Sequence, residues 1–247
     1  MKHKIVIGML SFLSGGSFDW RGWMIRIFVL LLSLSIHEYA HARMADRLGD
    51  DTARRMGRLS LNPLVHLDLF GTLMIVLGAP VAWAKPVQIN PANFRRDVSV
   101  KKGMMLTAIA GPVANLFLSV IAYVIYSGLT VLAYLVHPAT PMDAGGRILE
   151  TLLILFASMY ITNVYLAVFN LLPVPPLDGS RVMSRILPDR AYYKLLQYER
   201  YIGMGFLLLV ILRPQWLTAV LHTVAFPIRW LIQTPLDALT ALIINMT

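Results

Sequence analysis

Long runs of apolar residues, separated by short clusters of Arg and Lys, dominate this chain. The first covers residues 23–45 and, at about 1.5 Å per residue, reaches roughly 34 Å, enough to cross a bilayer. Further runs cover residues 69–83, 103–136, 148–172, 201–212 and 216–246. The pattern predicts an all-α polytopic membrane protein with about five to six apolar helical segments. Run 69–83 stands apart because it is short and carries Gly71, Gly78 and Pro80, which break a spanning helix. Basic residues flank it on both sides, Arg43, Arg47, Arg54, Arg55 and Arg58 before it and Lys85, Arg95, Arg96, Lys101 and Lys102 after it. Basic loops favour the cytoplasmic side, so both ends are expected there, and the run reads as a re-entrant hairpin. Residues 103–136 then cross outward and 148–172 return. That brings the Pro-rich stretch after residue 172 back to the side where residues 37–41 lie.

Composition supports this reading. With 57% hydrophobic and 14% charged residues and a mean hydropathy of +0.64, nothing is left over for a large aqueous domain. The net charge of +9 is spread over short loops beside apolar runs. It points to topology and contact with the lipid bilayer, including its anionic headgroups, and not to nucleic acid. The chain has no cysteine, so disulfides and thiolate ligands are excluded and any metal site must use His, Asp or Glu. Residues 1–17 combine a basic lead with an apolar run too short to span, and an interfacial segment is expected there.

Inside the first apolar run lies His37-Glu38-Tyr39-Ala40-His41. Histidines four apart share one helix face, so both imidazoles can reach one metal ion. Glu38, beside the first, is then placed to act as general base on a water at that metal. With six His and three Glu in the chain, a chance His-Glu-x-x-His has an expectation of roughly 0.002. The alternative is a pair of helix histidines satisfied by neighbours. An ionisable group at membrane depth costs on the order of 3 kcal/mol, which favours a functional role over that alternative.

A catalytic zinc usually has three protein ligands. A metzincin-like continuation is absent, since Met44 and Arg47 stand where Gly and His would be needed. Glu150 falls on the external flank and Glu199 among surface charges. Asp178 follows a run with three prolines, Pro173, Pro175 and Pro176, where broken backbone at membrane depth must be buried in protein or line a wet cavity. It is a candidate ligand, or else a helix-capping aspartate at the surface. Asp46, Asp50 and Asp51 read as solvated helix-end charges. His66 and Asp68 are either partners of the metal ligands or, the preferred reading, ordinary interfacial residues.

Taken together, His37-Glu38-x-x-His41, the stretch Ala110-Gly111-Pro112-Val113-Ala114-Asn115 and Leu177-Asp178-Gly179 resemble the site-2 protease family of intramembrane zinc metalloproteases. Gly57-Arg58-Leu59, Asn62-Pro63 and Trp83-Ala84-Lys85-Pro86-Val87 are similar to segments of its compact bacterial members, which lack PDZ-like and CBS-like domains. The likeness runs from about residue 30 to 200. A full first span ahead of the His-Glu helix is not expected from these residues, a departure from the family pattern. The resemblance implies Zn2+ held by His37, His41 and Asp178, Glu38 as catalytic base, and Asn115 as a polar contact to the substrate peptide. It also implies a membrane-protein substrate with a transmembrane helix, and a bacterial inner-membrane location with the site toward the cytoplasm. The expected organisation is one membrane-embedded domain over 1–247, with an interfacial segment at 1–20, a catalytic core at 23–187 and C-terminal helices at 198–247. Residues 81–89 are expected to offer a strand edge to an unwound substrate. A peptidase acting on soluble or lipidated chain ends, and a non-catalytic metal-binding scaffold or transporter, are the competing readings.

Overall fold

The computed structural model describes residues 19–68, 85–136 and 144–246, which are helical with short connections and contain no strand. Helix α1, Trp20–Arg47, starts where Asp19 accepts a hydrogen bond from the Gly22 N–H at 3.0 Å. Its buried positions include Val29, Ser33, His37, His41 and Ala45. They recur every four residues, so the histidines lie on the stripe that faces other helices.

Two helix ends shape the loop that leaves α1. The Gly49 and Asp50 N–H groups donate to the Asp46 and Ala45 carbonyls at 3.1 and 2.9 Å, and Gly49 has φ +107°. After helix α2, Thr52–Arg55, the Gly57 and Arg58 N–H groups donate to Arg54 and Ala53 at 3.0 and 2.8 Å, and Gly57 has φ +69°. Both are Schellman caps, in which a glycine adopts the left-handed conformation and the next residue closes the turn. Asp50 and Arg58 occupy that closing position.

Helix α3, Val100–Val136, packs along α1 and α4, and its buried face carries the small residues Thr107, Gly111 and Ser119. Small side chains let the helix axes approach closely, the usual means of helix association in lipid. Helix α4, Ala144–Asn170, ends in a Pro-rich turn that leads to α5, Asp178–Val182. Helices α6, Asp189–Gln197, and α7, Glu199–Leu212, meet at 64°. Helix α8, Pro214–Met246, returns against α3 and α4, where the Tyr123 hydroxyl donates to the Asp237 carboxylate at 2.5 Å. The apolar core joins Val29, Ala122, Tyr123, Tyr160, Val164 and Ala225 from α1, α3, α4 and α8.

Of the five to six apolar segments expected, three helices among the described residues are long and apolar enough to span, α1, α3 and α4, or four if α6 and α7 together form one span. Helix α8 is long but carries Arg229, Gln233 and Asp237, and it is not among them. The expected re-entrant run 69–83 lies outside the described residues. Asp50 departs from expectation. Instead of being solvated it is fully buried, because its carboxylate accepts hydrogen bonds from the Asn90 N–H at 2.7 Å and from the Thr52 N–H and Asn93 Nδ2 at 3.1 Å. Burial alone raises a carboxyl pKa, but these donors together with the Thr52 hydroxyl outweigh it and hold Asp50 below its ordinary 3.8.

Candidate metal centre

Three elements meet at the site. Helix α1 contributes His37 and His41, α5 contributes Asp178 in its first turn, and α3 packs over the two rings. The three ligand atoms lie within 4.8 Å of one another, the one such group among the described residues. The two Nε2 atoms are 3.0 Å apart, and Asp178 Oδ2 lies 3.1 Å from His37 Nε2 and 3.3 Å from His41 Nε2.

Glycines make this convergence possible. A Cβ at Gly111 would lie 2.5 Å from His41 Nε2 and 2.6 Å from His37 Cε1, so α3 leaves room for both rings only because that residue has no side chain. A Cβ at Gly179 would lie 2.3 Å from the Leu171 and Leu172 carbonyl oxygens. The turn after α4 therefore closes tightly enough to bring Asp178 under the imidazoles.

The neighbours set the state of each ring. His41 Nδ1 is 2.7 Å from the Thr107 carbonyl, which can only accept, so Nδ1 carries the hydrogen and Nε2 is bare in the neutral ring. Two amides decide the state of His37. Asn163 Nδ2 donates to the Met159 carbonyl at 2.8 Å and to the Ser33 hydroxyl at 2.8 Å, which turns its Oδ1 toward Asn115. Asn115 Nδ2 donates to that oxygen at 2.7 Å, so Asn115 Oδ1 accepts from His37 Nδ1 at 2.5 Å. His37 Nε2 is therefore bare as well.

Two nitrogen lone pairs and a carboxylate oxygen thus face one point, and Asp178 Oδ2 is buried without a hydrogen-bond partner. With no proton between them these groups repel one another unless a cation sits among them. Two imidazole nitrogens and a carboxylate match the ligand types zinc takes, and hydrogen bonds from the far nitrogens are what orient such ligands.

Glu38 sits beside this group and accepts the Val87 N–H at 3.0 Å. A cavity of about 640 Å³ opens over it, lined by His37, Glu38, His41 and Asp178 and by apolar groups such as Val87, Ile89, Leu166, Phe169 and Phe206. Asn115 does not line it. It is fully buried, with both ends of its amide used as above. His66 is buried too, its Nε2 2.8 Å from the Ser60 carbonyl, and it is not part of the metal group. Sequence reasoning missed Asn163 and Gly111 as parts of the site. An amide side chain in the middle of an apolar run was the available signal for the first.

The family profile described as Peptidase family M50 matches residues 25–212. The chain belongs to peptidase family M50. This is the site-2 protease family that its motifs resemble. The M50 chain is 37% identical over 187 residues to YwhC of Bacillus subtilis (strain 168), covering 75% of this chain and 78% of YwhC. It is 30% identical over 189 residues to Rip2 of Mycolicibacterium smegmatis (strain ATCC 700084 / mc(2)155), covering 74% of this chain and 63% of Rip2. Both are named as zinc metalloproteases. No solved structure matches.

Asp178→Asn keeps the shape but weakens the anionic ligand. Zinc affinity of this M50 chain is expected to fall by at least the roughly 10–100-fold seen when an outer-shell partner is lost. Zinc per chain after chelator challenge measures this, and full wild-type stoichiometry would exclude Asp178 as a ligand.

Proposed function

We propose that this M50 chain is an intramembrane zinc metalloprotease that cuts peptide bonds in or near the transmembrane segments of other membrane proteins, from the cytoplasmic side of a bacterial inner membrane. The observation that carries the reading is the convergence of His37, His41 and Asp178 beside Glu38 within a candidate spanning helix. His37 lies ten residues before Arg47, the end of α1, or ~15 Å along the axis, which is depth enough to reach hydrocarbon.

His37, His41 and Asp178 would hold the zinc, which when bound supplies Lewis acidity toward a carbonyl and lowers the pKa of water to about 7. Glu38 removes the proton from the attacking water and returns it to the leaving amine. A helical substrate hides its carbonyls in its own hydrogen bonds, so it must unwind before attack. Residues 85–89 suit that need. Pro86, Val87 and Ile89 line the cavity, so this stretch of backbone runs along the site, where an unwound peptide can lie beside it. The part of the expected edge at 81–84 lies outside the described residues. The cavity's apolar walls fit a hydrophobic peptide. Asn115 acts here by fixing the His37 ring, and contacting substrate would require its bonds to Asn163 and Ser33 to open. The basic loop clusters around the site support the cytoplasmic orientation.

The test is cleavage-site mapping. Zinc-loaded protein in liposomes with a single-span substrate is expected to generate new termini inside or at the edge of the apolar segment. Cuts confined to soluble or lipidated chain ends would favour the competing peptidase reading, and metal flux without any cleavage would overturn the proposal.

A further inference from the structure

The peptide group joining Pro86 and Val87 is held at both ends. Its carbonyl oxygen accepts from Arg58 Nη1 at 2.7 Å, and its N–H donates to Glu38 Oε2 at 3.0 Å. In a trans peptide the C=O and N–H point in opposite directions. Whatever holds the oxygen therefore aims the N–H. Arg58 is buried, with 7% of its surface exposed, and among the described residues it has no carboxylate partner. Its charge faces a backbone oxygen, an unusual use of a buried guanidinium that needs a reason.

The rest of the segment is pinned as well. The Lys85 N–H donates to the His66 carbonyl at 2.8 Å, and the Asn90 N–H donates to Asp50 at 2.7 Å. The residue before a proline is biased to extended backbone, and Pro86 fixes its own φ. The anchors at Asp50, Arg58 and His66 all belong to the loop that leaves α1, the helix that carries Glu38. Two Schellman caps place Asp50 and Arg58 within that loop.

We propose, resting on the proteolytic reading above, that Arg58 is a positioning residue of the hydrolysis: it fixes the Pro86–Val87 peptide plane so that the Val87 amide holds the Glu38 carboxylate. With Oε2 engaged, Oε1 is the oxygen presented to the water. A glutamate has several rotatable bonds, and fixing it beforehand removes an ordering step from the reaction. Without Arg58 the Pro86 carbonyl loses its partner, and a flip of this peptide, which would turn that carbonyl toward the Glu38 carboxylate and drive it away, is opposed less strongly.

The test uses the full-length zinc-loaded protein in lipid nanodiscs with a single-span reporter peptide. Arg58→Gln is expected to lower kcat at least tenfold per zinc-bound chain, with KM within twofold and zinc stoichiometry unchanged. Arg58→Lys, which keeps a charged donor, is expected to recover at least a third of the lost kcat. A purely structural role would lower zinc content or melting temperature and leave kcat per zinc-bound chain intact, and that result overturns the proposal. A rise in KM alone also overturns it. If Arg58→Gln does not fold, hydrogen exchange decides. The Val87 amide is expected to exchange at least tenfold more slowly in wild type than in Glu38→Ala, and equal rates refute the contact. Wild-type protein that cleaves while Arg58→Gln matches it defeats this inference alone, whereas a wild type that cleaves nothing defeats the proteolytic reading.

Discussion

Glu38→Gln is expected to lower peptide-bond cleavage about 100- to 10,000-fold while zinc content stays at the wild-type level. The exchange is isosteric, and the glutamine Oε1 can still accept the Val87 N–H that Glu38 receives at 3.0 Å. What is lost is a basic oxygen able to take a proton at neutral pH. His37 and His41 keep their partners, because Asn115 and Thr107 hold their far nitrogens independently of Glu38. Turnover of a single-span reporter and zinc per chain, measured on one preparation, separate chemistry from metal binding. Proteolysis within tenfold of wild type would remove Glu38 from the role of base. In cells the same variant should leave the natural substrate uncut, so a comparison of membrane proteomes would also identify it.

Gly111→Ala is expected to disrupt the centre without touching a ligand. The new methyl would lie 2.5 Å from His41 Nε2 and 2.6 Å from His37 Cε1, too close for either ring to keep its place. Overpacking of this kind costs about 1–3 kcal/mol. The rings are the cheaper atoms to move, since the alternative is displacing α3 from α1. Zinc per chain is expected to fall below half of wild type, with cleavage falling in parallel. Gly128→Ala on the same helix is the control, because a Cβ there meets nothing within 4 Å, and it should retain both properties. Full zinc and activity in Gly111→Ala would show that the rings do not need this space.

Some of the site was legible in local spacing. A four-residue interval on a helix forces His37 and His41 onto one face, whatever else the chain does. The role of Asp178 was not settled that way, since a turn aspartate after a Pro-rich run has several uses and only the likeness to the site-2 protease family singled it out. For Asn115, the resemblance pointed to the substrate, while the structure turns its amide oxygen to His37 through a chain of hydrogen bonds that begins with Asn163 Nδ2 donating to the Met159 carbonyl. Asp50 looked like a solvated charge because charged residues usually are, and its burial depends on donors from residues 90 and 93 that no local pattern announces.

The sequence by itself determined that this chain is helical and built for lipid, that any metal ligands must be nitrogen and oxygen, and that His37 and His41 share a helix face. These follow from apolar length, the absence of cysteine and helical periodicity, all properties of neighbouring residues. Only the tertiary structure decided that Asp178 closes the group, that Gly111 makes room for it, and that Arg58 and Asp50 carry residues 85–90 to Glu38. Each of those depends on segments far apart in the chain meeting at hydrogen-bond or van der Waals distance, which packing fixes and local pattern does not.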